Sequence, residues 1–187
     1  MIDNAIILVI HKVFIFGGLA GSKVAPGKYS LRMTLGDVIS ETETTILPNP
    51  KVVSSPEDFI EQQKMLVSIE NTVKEMHESV NQMRSAKTQL SHYAKLLKDS
   101  KDADSLLEKG KELTKRINSW EENLIQAKQK TFQDVINFNN KLNAQLIQLK
   151  SYIDQANPKV TNGAKERFND LMEDWQVYKT EQDAIIT

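Results

Sequence analysis

A hydrophobic repeat of alternating three- and four-residue steps runs from Phe59 to Leu97 and commits this stretch to a long helix that another helix must accompany. The steps land on Phe59, Gln62, Leu66, Ile69, Val73, Met76, Val80, Met83, Lys87, Leu90, Ala94 and Leu97, of which ten of twelve are apolar. A mean spacing near 3.5 residues keeps such a seam on one side of a helix only when a partner follows it closely. The start of the helix is equally defined. Ser55 is a natural N-cap and Pro56 suits the first helical position. Glu57 and Asp58 place negative charge where the free N–H groups point, and Asp58 sits at the far position of a capping box. From Pro56 to about Lys98 the helix would be roughly 65 Å long, more than a compact globule of this size encloses, so its far end is expected to project.

The apolar stripe narrows along this helix. Ile60 and Val67 flank the seam near its start, whereas Arg84, Ser91, His92 and Lys95 flank it beyond Met83. The first half is therefore expected to serve two neighbours and the second half one. Residues 99–104 (DSKDAD) read as a polar turn, after which Leu106, Leu113, Ile117, Trp120, Leu124 and Ala127 recur at helical spacing with Gly110 as the weak point. This second helix should return antiparallel along the first. The periodicity breaks in an Asn-rich stretch at 130–140, then resumes with Leu142, Leu146, Leu149, Ile153 and Ala156 in a third helix. Pro158 and the Thr161-Asn162-Gly163 turn lead to a fourth, with Ala164, Phe168, Leu171, Trp175 and Tyr178 inward. The expected arrangement is a three-helix base near a sheet, with a two-helix arm whose tip is the 99–104 turn.

The sheet lies upstream. After the Pro26-Gly27 turn, Tyr29, Leu31, Met33 and Leu35 alternate with Lys28, Ser30, Arg32 and Thr34, the pattern of a half-buried strand. Gly36-Asp37 reverses the chain into a β-branched run at 38–47, with Glu41 and Glu43 opposite to Thr42 and Thr44, and Pro48 and Pro50 stop it. The apolar runs at 5–10 (AIILVI) and 13–16 (VFIF), split by His11 and Lys12, read better as a strand than as a signal peptide or a membrane span. No cation precedes them, Asp3 does, and a bilayer needs about 20 apolar residues. Three strands cannot close a sandwich that needs about seven. Either the helices cover the apolar sheet face or upstream strands are missing, and the second is favoured because the helices have their own seam.

Composition excludes several chemistries. The formal net charge is -1 with both signs interspersed, which provides no basic stripe for phosphates, so nucleic acid is not an expected partner. The chain has no cysteine, which rules out disulfides, thiolate zinc sites and thiol catalysis. His77 and His92 fall outside the seam and are expected to face solvent, since Lys74 and Gln89 stand where a di-iron bundle requires Glu. Trp120 and Trp175 would suit a sugar-stacking platform, but their spacing with Leu124 and Leu171 favours core packing. Asp99, Asp102 and Asp104 lack the glycine and terminal Glu of a calcium loop. Lys87 on the seam either reaches outward along its stem or sets register. No catalytic, cofactor-binding or metal-ligating residue is assigned, and no cofactor is expected.

Several short runs resemble a known family. They are Phe14-Ile15-Phe16-Gly17-Gly18, then Val24-Ala25-Pro26-Gly27-Lys28-Tyr29-Ser30-Leu31-Arg32-Met33-Thr34, then Pro48-Asn49-Pro50-Lys51, then a long helix opening with Asp58 and Gln63. In this order they resemble the C-terminal region of large bacterial sortilin-like β-propeller proteins of the BNR-repeat glycosyl hydrolase type. The stretch Asn137-Phe138-Asn139-Asn140-Lys141-Leu142-Asn143 resembles their loop before the last helices, with Asn139 where that pattern has proline. Asn49-Pro50-Lys51 likewise stands where the pattern has Asp-Pro-Arg. The resemblance spans about residues 13–185 and includes no catalytic motif. It implies a propeller upstream of Met1, a secreted or periplasmic setting, and hydrolytic or ligand-binding residues outside this chain.

The fold expected is α+β, mainly α: a short antiparallel β-hairpin or partial immunoglobulin-like sheet, then an antiparallel helical bundle with a long projecting two-helix coiled-coil arm. Residues 1–50 would form a truncated partial β-sandwich and 51–187 the bundle and arm. The function expected is a non-catalytic C-terminal accessory or interaction module of an extracellular or periplasmic propeller protein, able to self-associate through the incomplete sheet. The alternative is a free-standing coiled-coil adaptor that binds a protein partner along its arm, between Lys87 and Lys115.

Overall fold

The computed structural model describes residues 21–100 and 102–187. The suggested strand at 5–16 lies outside the described residues. Among the described residues a β-hairpin precedes five helices, so the fold is α+β and mainly α. Strands β1 (Gly27–Leu35) and β2 (Val38–Ile46) pair antiparallel, with Leu35 opposite Val38. The two intervening residues turn sharply because Gly36 sits at φ 58, a left-handed conformation that costs glycine no Cβ clash. This register puts Tyr29, Leu31, Met33 and Leu35 on one face with Val38, Ser40, Thr42 and Thr44. Among the described residues the hairpin makes contact with no helix, and Leu31, Met33, Leu35 and Val38 are all exposed. The helices therefore do not supply the missing cover for the sheet.

Helix α1 (Pro56–Leu96) begins at a complete capping box. Ser55 Oγ accepts from the Asp58 N–H at 3.3 Å, and the Ser55 N–H donates to Asp58 Oδ2 at 2.9 Å. Helix α2 (Asp104–Leu124) returns along its far half, and the single turn α3 (Asp134–Asn137) lies in the Asn-rich break. Helices α4 (Leu142–Ile153) and α5 (Asn162–Ile186) complete the bundle. Gln62 donates to the Ile153 carbonyl at 2.7 Å while His77 lies beside Asn143, so α4 runs antiparallel to the near half of α1. On the other side Glu75 meets Trp175 and Gln82 meets Gln182, so α5 runs parallel to α1. Helices α2 and α4 thus succeed one another along one flank of α1, and α5 covers the other flank.

One continuous core follows the seam. Leu66, Ile69, Val73, Met76, Val80 and Met83 are buried with Ile117, Trp120, Leu124, Leu146, Ile147, Leu171 and Trp175. Lettering the seam residues Phe59 and Gln62 as a and d of a heptad, the buried flanks are e (Glu70, His77) and g (Thr72). Ile60 and Val67, expected to widen the stripe, occupy b and remain exposed. The reason is geometric: two helices either side of a seam cover e and g, whereas b points away from both. Helix α5 stays beside α1 and α2 up to the level where Arg116 donates to the Ala184 carbonyl at 3.0 Å. The arm expected from the sequence exists, but only beyond Arg84 on α1 and before Arg116 on α2.

Ser55→Ala removes half of the capping box and is expected to cost about 1 kcal/mol, read from the urea midpoint. The hairpin, which touches no helix, should be unaffected in the same variant.

Candidate functional site

Two regions combine unusual chemistry with position: a row of buried and half-buried polar groups between helices, and an apolar groove in the arm. The row occupies the e positions of α1. Glu70 is 6% exposed, and its Oε1 accepts from Lys150 Nζ at 2.9 Å, from the Ser22 N–H at 2.9 Å and from Ser22 Oγ at 2.7 Å. Burial alone would push this carboxyl up, but the hydrogen bonds from Ser22 and Lys150 and the charge of Lys150 outweigh it, so the Glu70 carboxyl lies below its ordinary value. One turn pair further along, Glu121 of α2 accepts from Arg84 Nε at 2.8 Å, Arg84 Nη2 at 2.5 Å and Lys87 Nζ at 3.2 Å. Lys87 therefore bridges the two helices and acts on register.

His77 lies between these pairs. It is 3% exposed, which overturns the expectation of a solvent-facing ring, because α4 packs on the e side of α1 as well as on the seam. Its Nε2 lies 3.5 Å from Asn143 Nδ2, and its Nδ1 has no hydrogen-bond partner among the described residues. Burial, with Arg84 nearby, lowers its pKa to about 4, so the ring is neutral at physiological pH. His92 is exposed and lies edge-on to the Tyr93 ring, centroids 6.3 Å apart.

On the opposite flank, Trp175 Nε1 donates to Glu75 Oε2 at 3.0 Å and Lys179 Nζ lies 2.5 Å from Glu75 Oε1. The Lys179 hydrogen bond, aided by that from Trp175 and offset by burial, holds the Glu75 carboxyl below its ordinary value. Trp120 Nε1 donates to the Tyr178 carbonyl at 2.8 Å. Both indoles are fully buried and carry core packing, so neither forms a sugar platform. Asp99, Asp102 and Asp104 are exposed at the tip of the arm. Among the described residues no group of three or more His, Cys, Asp or Glu is placed to hold a metal ion. No helix there is long and apolar enough to cross a membrane.

The groove opens where α1 and α2 diverge. It encloses about 790 Å³ and is lined on the α1 side by Leu90, Tyr93, Ala94 and Leu97, and on the α2 side by Leu106, Gly110 and Leu113. Tyr93 is 60% exposed and Leu106 59%, an apolar surface that the bundle itself leaves open. The residues here read as a polar-flanked two-helix seam, and the groove is not visible in them because Gly110, a weak point by helix propensity, also leaves the inner face without a side chain.

Comparison with protein-family models, with curated proteins and with solved structures yields no match.

The titration of His77 has a defined sign. Its folded value near 4 lies below the unfolded 6.5, so between these limits the unfolded chain binds a proton that the folded chain does not. Stability is therefore expected to fall as pH drops through that window, by about 3 kcal/mol at its low end. Glu70 and Glu75, lowered from 4.5, contribute stability that is present above that value and lost below it. Urea midpoints across this range should show both limbs, and His77→Gln should flatten the upper one alone. Glu70→Leu leaves Lys150 buried without its partner carboxylate and is expected to cost about 3–5 kcal/mol in the same assay.

Proposed function

We propose that this chain is a non-catalytic interaction module at the C-terminal end of a larger secreted protein of the sortilin-like β-propeller, glycosyl hydrolase type. In this reading the hairpin is the docking element, completed by further strands of that protein. The observation that carries it is the hairpin itself, paired only within itself among the described residues and exposing Leu31, Met33, Leu35 and Val38 on one face. A lone two-stranded hairpin is marginal in water, and its outer edges present unpaired N–H and C=O groups that template further strands. The alternation along β1 is that of a sandwich strand whose opposing sheet lies elsewhere.

The segment leading into the hairpin supports an anchoring role. Ser22 is bonded to Glu70 and Lys23 donates to the Asp154 carbonyl at 3.3 Å, so the approach to β1 is fastened to the bundle while the strands stand clear of it. A non-catalytic assignment agrees with the state of the buried ionisable groups. Glu70 is held by a cation, and among the described residues neutral His77 lies beside the Asn143 amide and near Arg84 with no nucleophile bonded to it.

The full chain is expected to bind a hydrophobic dye and to self-associate reversibly in sedimentation velocity. The double variant Leu31→Lys, Met33→Lys should lose self-association and the share of dye binding that the hairpin contributes, with its helical melting unchanged. A wild-type chain that is monomeric and dye-negative would count against the docking reading, and turnover of a glycoside panel by this chain would overturn its non-catalytic part.

A further inference from the structure

We infer that the groove of the arm is the seat of an amphipathic helix with acidic flanks, supplied by a partner protein and laid in line with α5. The inference is independent of the hairpin and gives the adaptor expectation a defined occupant.

The first argument is continuity with an interface already formed. Along α1 the g positions recur as Met65, Thr72, Ser79, Ala86 and Tyr93. Helix α5 runs on this flank, where Thr72 Oγ1 donates to Met172 Sδ at 3.4 Å and Met65 and Ala86 pack against the core. On α2 the matching side carries Trp120 and Arg116, both bonded to α5 carbonyls, and steps on through Leu113, Gly110 and Leu106. Helix α5 reaches only the level of Arg116. Beyond it, the next g residue, Tyr93, and the next α2 residues on the matching side line the groove. The groove is thus the upper part of the seat that α5 fills below, and helix-in-groove docking needs just such a spaced row of apolar side chains.

The second argument is charge. No Asp or Glu lines the groove, whereas Lys98, Lys109, Lys111 and Lys115 do. Lys111 is paired with Glu108, but the other three have no carboxylate within ion-pairing distance among the described residues. The helix occupying the lower seat has the complementary composition: α5 carries six Asp and Glu against three Lys and Arg. A basic rim around an apolar floor disfavours a second copy of the same arm, which would bring like charges together, and favours an acidic helix.

The test uses the full chain and a fluorescein-labelled synthetic amphipathic helix of about fourteen residues, long enough to span the groove, with Leu at helical spacing and Glu flanks. Its counterpart has Lys at the flanking positions. A Cβ built at Gly110 meets nothing within 4 Å, so Gly110→Ala and Gly110→Leu should both fold. Fluorescence anisotropy is expected to show the Glu-flanked peptide binding about tenfold or more tightly than the Lys-flanked one, with affinity falling as salt rises. Gly110→Leu, which fills the groove, should weaken binding by about tenfold or more while Gly110→Ala retains it. Equal binding of the two peptides, binding of neither, or indifference to Gly110→Leu would overturn the inference. So would a wild-type dimer that Gly110→Leu dissolves, which assigns the groove to a second copy, or capture of a fluorescent fatty acid in place of the peptide.

Discussion

The seam of α1 is the constraint on which the rest of the molecule depends. A 41-residue helix with an apolar stripe along one side cannot be covered by a single short helix, and none of the other helices among the described residues matches its length. The chain solves this in relay. On the e flank α4 covers the near half and α2 the far half, with the Asn-rich segment between them. Apart from the single turn α3, that segment leaves the helical path where the chain passes from one partner position to the next. Side-chain amides hold it instead: Gln129 donates to the Phe138 carbonyl at 2.7 Å and Gln126 to the Asn139 carbonyl at 3.1 Å. Backbone carbonyls outside a helix find partners of this kind in place of the helical ladder.

An apolar seam alone leaves axial position loosely defined, since one leucine resembles the next. The polar row at 70, 77 and 84 removes that freedom. Moving α4 by seven residues along α1 would set Lys150 against neutral His77 and leave Glu70 without its cation, and an unpaired buried charge is strongly destabilising. Glu121 does the same for α2 by gripping Arg84 and Lys87 together. These groups therefore define which parts of the helices meet, while the leucines and tryptophans supply the burial.

Much of this architecture was legible in the residues. The heptad from Phe59, the N-cap at Ser55, the Gly36-Asp37 reversal and the inward tryptophans each follow from a local rule that tertiary structure did not override. The e-flank burial was not legible in the same way. His77 reads as solvent-facing and Arg84 as a polar flank of the seam, because polar type ordinarily goes with exposure, and Glu70 gives no apolar signal either. Their seven-residue spacing was the available signal, since polar residues repeating in step with the seam lie where a second helix must pack. Ile60 and Val67 misled for the converse reason: apolar type suggested burial at a heptad position that no neighbour reaches. Where α5 ends is poorly marked, because its last turns alternate buried Gln182 and Ile185 with exposed residues, which gives little apolar signal beyond Tyr178.

The hairpin is tethered to the first half of α1, through Ser22 to Glu70 and through the short connection to Ser55, whereas the groove lies toward the opposite end. From Glu70 to Leu90, where the groove begins, runs on the order of 30 Å of continuous helix, and from Ser55 about 50 Å. A single unbroken helix braced on two flanks resists bending far better than a linker of equal length. The bundle is in this sense a strut: it spaces the point where the hairpin is fastened from the groove at the other end.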